Sequence, residues 1–351
     1  MIIEKMFTEI NHFMKKENIS FFMIKETLSF EDSDIDIILN KKKDLKKIIL
    51  HFRNVYKHQI IRERKTYNQY YIIVSDGQKV HAFDFSIGLI INGIKLIDSS
   101  FFFNNSEEII RQEYRLVKNR FKQKNEFTST NKIYKFFFKI KKNFTNKKGK
   151  LVVFIGVDGS GKSTVIEDLL LKFSIERKLF NISNYHFRPK IIKGSFSSKV
   201  NIEKSIDSPH LSKELNIFKS HLKILFIVLN YLLFLPVLHL KKFFGHIIIF
   251  DRYYTDIFFD TKRYRLNTKS LLLGRIFQFI IPKPDKMFFI LGDEKRIYER
   301  KKEVDLHEII ETHKRYNIYI EKNLKISVKI LNNETKERFI SETTRNFISI
   351  L

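Results

Sequence analysis

Eight consecutive residues, Gly156-Val157-Asp158-Gly159-Ser160-Gly161-Lys162-Ser163, place glycines, one ammonium and one hydroxyl at the spacing G-x-x-x-x-G-K-[ST]. Chemistry with phosphate needs this combination. Gly156, Gly159 and Gly161 let the backbone curl until several N–H groups face inward, and Ser160 lies within that curl. A helix that opens at Lys162 adds its positive end to the same point. Lys162 reaches the β and γ phosphates of a nucleoside triphosphate as a point charge. Ser163 offers its hydroxyl to Mg²⁺, and Thr164 completes the candidate ATP-binding set.

A phosphate loop implies a triphosphate and leaves the reaction open. Asp251-Arg252-Tyr253 closes the apolar run HIIIFD, and an acid there is expected at the carboxyl end of a parallel strand, beside the loop. Asp251 is the candidate to orient Mg²⁺ or its waters, and Arg252 to clamp phosphates with its planar fork. Arg296, Arg300, Lys301 and Lys302 form a basic cluster on a helical stretch, suited to close over a triphosphate or equally to sit in solvent. Near the other end of the chain, Asp34 and Asp36 stand two apart on a predicted strand, so period two puts both on one face. Asp84 is a third acid on a later strand, and three converging carboxylates suit Mg²⁺ and nucleotidyl transfer.

Elements must position these groups. LVVFI (151–155) is apolar throughout, as expected of a strand buried on both faces of a parallel sheet. STVIEDLLLKF (163–173) reads as a helix, and FNISNYHF (180–187), HIIIFD (246–251), KMFFIL (286–291) and ISVKIL (326–331) read as further strands between helices. That alternation predicts an α/β domain with a doubly wound parallel sheet over 150–351. Residues 1–130 predict a smaller α+β domain. Its parts are a helix over 1–18, short strands at 21–24 and 34–39, and a helix at 42–52. A hairpin through Asp76-Gly77 and a mostly helical stretch to about residue 125 follow. Between the two domains, 131–149 is a basic linker, and the run 131–150 holds eight lysines and no acid.

Composition narrows the chemistry. Among 351 residues there is no cysteine, so thiolate catalysis, disulfides and cysteine zinc sites are excluded, which suits a cytoplasmic protein. The N-terminus does not read as a signal peptide. The formal charge is +26, but the lysines are spread along the chain, which argues for compositional drift over nucleic-acid binding. From Ile224 to Leu240 run 17 residues without a charge. The run falls between two strands of one sheet, so a buried or dimer-interface helix is expected in place of a membrane span. A homodimer and a peripheral membrane contact both stay open as partners.

The motifs GVDGSGKST, FDRY, PKPD and ERKKE, in that order over about 200 residues, resemble the thymidylate kinase branch of nucleoside monophosphate kinases. The resemblance implies Asp158 near the acceptor's sugar hydroxyl, Arg252 between donor and acceptor phosphates, and Arg300 as a lid arginine. It further implies Arg188 on the acceptor phosphate and Tyr253 on the acceptor side. HFRPKIIKGS stands where that family carries an Arg-Glu-Pro-Gly type loop, and the helix before FDRY is apolar where the family's is polar. Asp34, Asp36 and Asp84 resemble the nucleotidyltransferase pattern, without its Gly-Ser turn. The function expected is ATP–Mg²⁺-dependent phosphoryl transfer to a dTMP-like nucleoside monophosphate or a related small acceptor. The alternatives are a bifunctional protein whose kinase takes a sugar or other non-nucleotide acceptor, and a non-catalytic ATP-binding module at a membrane surface.

Overall fold

A computed structural model describes residues 2–24, 35–65, 67–75, 80–91, 94–123, 149–174, 181–189, 214–300, 304–333 and 335–351. The chain forms two compact units. One is Met1–Lys147 with Lys172–Phe180 and Leu351, and the other is Lys148–Leu171 with Asn181–Ile350.

The first unit contains α1 (Ile2–Lys16), β1 (Phe21–Met23), β2 (Ile35–Leu39), α2 (Lys42–Val55), β3 (Ile60–Lys65), β4 (Gln69–Ser75) and β5 (Val80–Ser86). Next come β6 (Leu89–Ile91), β7 (Ile94–Ile97), α3 (Ser99–Asn104) and α4 (Glu107–Gln123). Five strands lie in the order β1-β2-β5-β4-β3, with β2 and β5 parallel and the other pairs antiparallel. Alternation decides the faces. Ile37, Leu39, Ile72, Val74, Phe83 and Phe85 point to one side and pack with Met6, Ile10 and Met14 of α1 and Ile48 and Phe52 of α2. The opposite face carries the polar residues Asp36, Asp84, Tyr71 and Arg64, which stand directly across from one another strand by strand. The expected hairpin is present as antiparallel β4 and β5, while residues 76–79 lie outside the described residues. The stretch from 87 to 125 is not all helix, because Leu89–Ile91 and Ile94–Ile97 pair as a small antiparallel ribbon. Residues 92 and 93, between these strands, lie outside the described residues.

The second unit contains β8 (Lys150–Ile155), α5 (Lys162–Ser174), β9 (Ile182–His186), α6 (Ile217–Phe243), β10 (Ile247–Asp251) and α7 (Asp256–Phe259). It continues with α8 (Leu271–Phe277), β11 (Lys286–Gly292), α9 (Glu294–Arg300), α10 (Leu306–Lys322), β12 (Ser327–Asn332) and α11 (Lys336–Ile348). All five strands are parallel, in the order β12-β11-β8-β10-β9. The residues of β8 from Leu151 to Ile155 are fully buried, which explains their unbroken apolar run. Each such side chain contributes roughly 1.5–3 kcal/mol of burial. The edge strands β9 and β12 are partly exposed and accordingly mix polar with apolar residues. From β8 the chain passes to β9 on one side of the sheet, and from β10 it passes to β11 on the other. The crevice at the carboxyl ends therefore opens around β8 and β10, the place where open α/β sheets take ligands.

Candidate active site

The turn after β8 is forced by its glycines. A Cβ on Gly156 would stand 2.6 Å from Ile290 O and 2.7 Å from Ser160 Oγ. Gly159 and Gly161 take φ values of 86° and 100°, a region that favours glycine. Asn332, at the end of β12, braces the curl by donating from Nδ2 to Ser160 O at 2.7 Å. The first turn of α5 follows at once, with Val165 N bonded to Gly161 O at 3.2 Å. Ser163 is exposed at that helix start, and Thr164 beside it is half-buried.

Lys162 is buried and folds back over the loop, donating to Gly156 O at 2.7 Å and Val157 O at 2.9 Å. Burial pushes its ammonium down to about 7, and Arg252 adds to the effect, while Asp158, Asp251 and Asp256 pull the other way. The ammonium thus sits in a site prepared for anions and held by neutral carbonyls.

Asp158 faces two cations. Arg252 Nη2 pairs with its Oδ1 at 2.7 Å, and Arg263 Nη1 pairs with its Oδ2. Burial pushes the carboxyl up, but Arg252, Lys162 and Arg263 outweigh it and hold it well below the usual carboxylate range. Arg252 is 1% exposed and adopts φ 67°, an uncommon left-handed backbone for a long side chain. Its backbone N–H bonds Phe154 O at 2.9 Å, which pins the turn to β8. Its other terminal nitrogen pairs with Asp256 Oδ2 at 2.6 Å, and Tyr264 donates to the same oxygen at 2.7 Å. Burial lowers the guanidinium's pKa, but Asp256 leads the groups that raise it well above its ordinary value. One buried cation therefore joins the phosphate loop to the segment after β10.

Asp251 lies across from Phe154 of β8 and His186 of β9 in the parallel register. His186 Nδ1 stands 3.5 Å from Asp251 Oδ2. Burial raises the carboxyl, while His186, Lys162 and Arg252 lower it, with a net downward shift. The buried Asp251 Oδ1 has no hydrogen-bond partner among the described residues. That orphaned acceptor and the exposed Ser163 hydroxyl fit a Mg²⁺ ion held mostly by phosphates and water, since Mg²⁺ uses only one or two protein oxygens in such sites. Among the described residues no cluster of three or more acids or histidines would cage a metal by itself.

At the carboxyl end of the sheet's edge, Arg188 follows β9 with its guanidinium 4.8 Å from the Phe226 ring of α6. Phe187 stacks on Tyr264 at 4.4 Å, and Lys223 of α6 donates to Tyr264 O at 2.6 Å. Burial, then Arg265 and Arg188, push Lys223 down to about 8. Tyr253, expected here, is instead a core residue, 2% exposed, whose hydroxyl donates to Pro282 O at 2.7 Å. An apolar pocket beneath the strand end took its ring. Arg300 is exposed in the last turn of α9, and the structure gives it no contact with the loop. Arg296 reaches Asn333 O at 3.4 Å, and Lys301 and Lys302 lie outside the described residues.

In the first unit, Asp36 stands directly across from Asp84 in parallel register. Both oxygens of Asp84 accept from Gln69 Nε2, at 2.8 and 2.9 Å. Asp34 lies outside the described residues. Sequence reasoning did not single out Asn332, His186, Asp256, Tyr264 or Arg263 as site residues. A polar residue at a strand's carboxyl end was the available signal for Asn332 and His186.

A five-stranded parallel sheet with a phosphate-binding loop after its central strand defines a P-loop α/β unit. Among solved structures, thymidylate kinase from Candida albicans is similar at 18% identity and TM-score 0.40, covering 57% of this chain and 92% of that one. Thymidylate kinase from Ehrlichia chaffeensis is similar at 17% identity and TM-score 0.37, covering 57% of this chain and 99% of that one. No protein-family model matches the chain, and no curated protein matches it.

Proposed function

We propose that the second unit is an ATP-dependent phosphotransferase acting on a nucleoside monophosphate, dTMP-like, or a related small acceptor held between the ends of β9 and β10. One observation carries the reading. Arg252 ties Asp158 inside the phosphate loop to the segment after β10, so donor loop and acceptor side form one charged site. In this reading the inward N–H groups and Lys162 hold the donor phosphates. Arg252 and Arg263 hold Asp158 ionised and aimed, and Arg188 offers a cation to the acceptor. Ser163 and Asp251 would hold Mg²⁺, which neutralises phosphate charge when bound. Coupled ADP release with a panel of nucleoside monophosphates and sugar phosphates tests the proposal. Bound ATP without acceptor-dependent turnover would remove it.

Two further results are expected of this site. ATP–Mg²⁺ places anions around Lys162, whose ammonium is pushed down to about 7 without them, so binding raises its pKa. Calorimetry in buffers of different ionisation heat should then show net proton uptake at about pH 8 that disappears at about pH 6. Equal proton exchange at both values would contradict that account of Lys162. Asn332→Ala removes the bond to Ser160 O and should weaken ATP affinity about fivefold, the worth of one hydrogen bond of roughly 1 kcal/mol. An unchanged affinity would show that the loop needs no brace from β12.

A second activity in the first unit rests on the pairing of Asp36 with Asp84 on one sheet face, the arrangement nucleotidyl transfer uses to hold metal ions. Asp36→Asn should abolish pyrophosphate release and leave ADP release intact. Equal pyrophosphate release in wild type and variant would dismiss it.

A further inference from the structure

Helix α6 has two faces that its composition conceals. Ile224, Ile227, Val228, Tyr231, Phe234 and Leu238 are buried in the core of the second unit. Leu222, Leu225, Leu229, Leu233, Val237 and Leu240 are each 38% exposed or more. Their spacing of three and four residues makes them one stripe along the helix. The helix has 27 residues, so the stripe runs for most of about 40 Å. Helix α8 packs against α6 and adds exposed Leu272 and Ile276, followed by Phe279, which is 89% exposed. Soluble proteins rarely leave so long an aliphatic strip facing water.

Charge identifies what covers it. Between residues 214 and 284 the exposed charged residues are five cations, Lys219, Lys262, Lys269, Arg275 and Lys283, and one acid, Glu214; Lys262 is paired with Glu308. The other acids of that stretch, Asp251, Asp256 and Asp260, belong to the catalytic crevice or the core and are not exposed. A second copy of this chain, set face to face by a two-fold axis, would bring this basic stretch against itself with Glu214 as the single exposed acid of the stretch to answer five cations. The stripe of α6 is leucine and valine between exposed Phe218 and Phe243, the aliphatic and phenyl side chains that an interfacial helix buries in lipid. Aliphatic side chains flanked by lysine and arginine match the acyl chains and anionic headgroups of a lipid surface.

We propose that α6 and α8 dock this unit on an anionic lipid bilayer, with α6 lying along the interface. It does not span the bilayer, because its inner face forms the protein core and carries Tyr231, whose hydroxyl donates to Phe187 O. The bilayer receives the stripe, and the basic residues around it meet the headgroups. The docking is independent of which acceptor the crevice takes.

Flotation of the full-length protein with lipid vesicles tests this. Vesicles of phosphatidylcholine with phosphatidylserine should carry the protein up the gradient. Phosphatidylcholine alone should carry much less, and raised salt should weaken the binding. Leu225→Glu, Leu229→Glu and Leu233→Glu together should reduce vesicle binding at least about tenfold, with ATP affinity kept as the control for folding. Should that variant fail to fold, Lys219→Glu with Lys269→Glu and Arg275→Glu changes only exposed groups. It should weaken binding to the phosphatidylserine vesicles by about tenfold or more and leave binding to phosphatidylcholine unchanged. The proposal is overturned if the wild type stays at the bottom with both vesicles, or if either folded variant floats like wild type. It is equally overturned if sedimentation shows a vesicle-indifferent dimer that the glutamates split, or if only an acidic protein binds the face.

Discussion

Lys162→Ala is expected to lower acceptor-dependent ADP production by roughly 10³-fold, with the protein still folded. The ammonium folds over the backbone of the phosphate loop, 2.7 Å from Gly156 O and 2.9 Å from Val157 O. No described neighbour can take its place there, since Arg252 is committed to Asp158 and Asp256 and Arg263 to Asp158. Folding should survive, because burial disfavours the ammonium, so near neutral pH the charge costs stability and its removal relieves that cost. The measurement is single-turnover phosphoryl transfer from labelled ATP, with circular dichroism as the control. A variant that turns over within a few fold of wild type would place the donor phosphates somewhere other than residues 156–163.

Arg252→Met should cost about 3–5 kcal/mol of unfolding free energy and remove activity as well. The side chain is fully enclosed, and its partner Asp256 is 0% exposed, so removing the cation strands a carboxylate in the interior. Tyr264 donates a single hydrogen bond to that carboxylate, which does not replace a guanidinium. The cause can be separated from general damage. Arg252→Met with Asp256→Leu removes both buried charges at similar volume and should regain most of the lost stability while staying inactive. Urea unfolding of the three proteins measures this. A double variant no more stable than Arg252→Met would mean that the stranded Asp256 carboxylate is not what destabilises Arg252→Met. Asp158 gives a related pH dependence. Its carboxyl is held well below the ordinary range, so its ion pairs stabilise the fold above the unfolded carboxylate value, and that support is lost only in strong acid.

The parts of this site made by neighbours in sequence were legible beforehand. Gly156 to Ser163 form one turn, and the apolar runs at 151–155, 246–251 and 286–291 could only be strands buried on both faces. Contacts between distant segments were not legible. Arg263 meets Asp158 across 105 residues, and Asn332 meets Ser160 across 172. Nothing local to Arg263 distinguishes it from a surface cation, and Asn332 offered only its place at a strand's carboxyl end. Tyr253 was misplaced because an aromatic beside Asp251-Arg252 fits a crevice and a core equally well, and the position of Pro282 decided it. The two faces of α6 were hidden for another reason. A run that is apolar all round has no polar side to show which half is buried, so burial was set by what packs on it. The small ribbon at 89–97 was missed because its strands are three and four residues long, too short for alternation to show.

Titration of ATP–Mg²⁺ into the full-length protein and into Lys162→Ala, followed by calorimetry, tests the central claim most directly. The account expects one site in the wild type, filled at micromolar ATP, and an affinity at least about 100-fold weaker in the variant. Equal affinities, or a wild type that takes up no ATP, would contradict it.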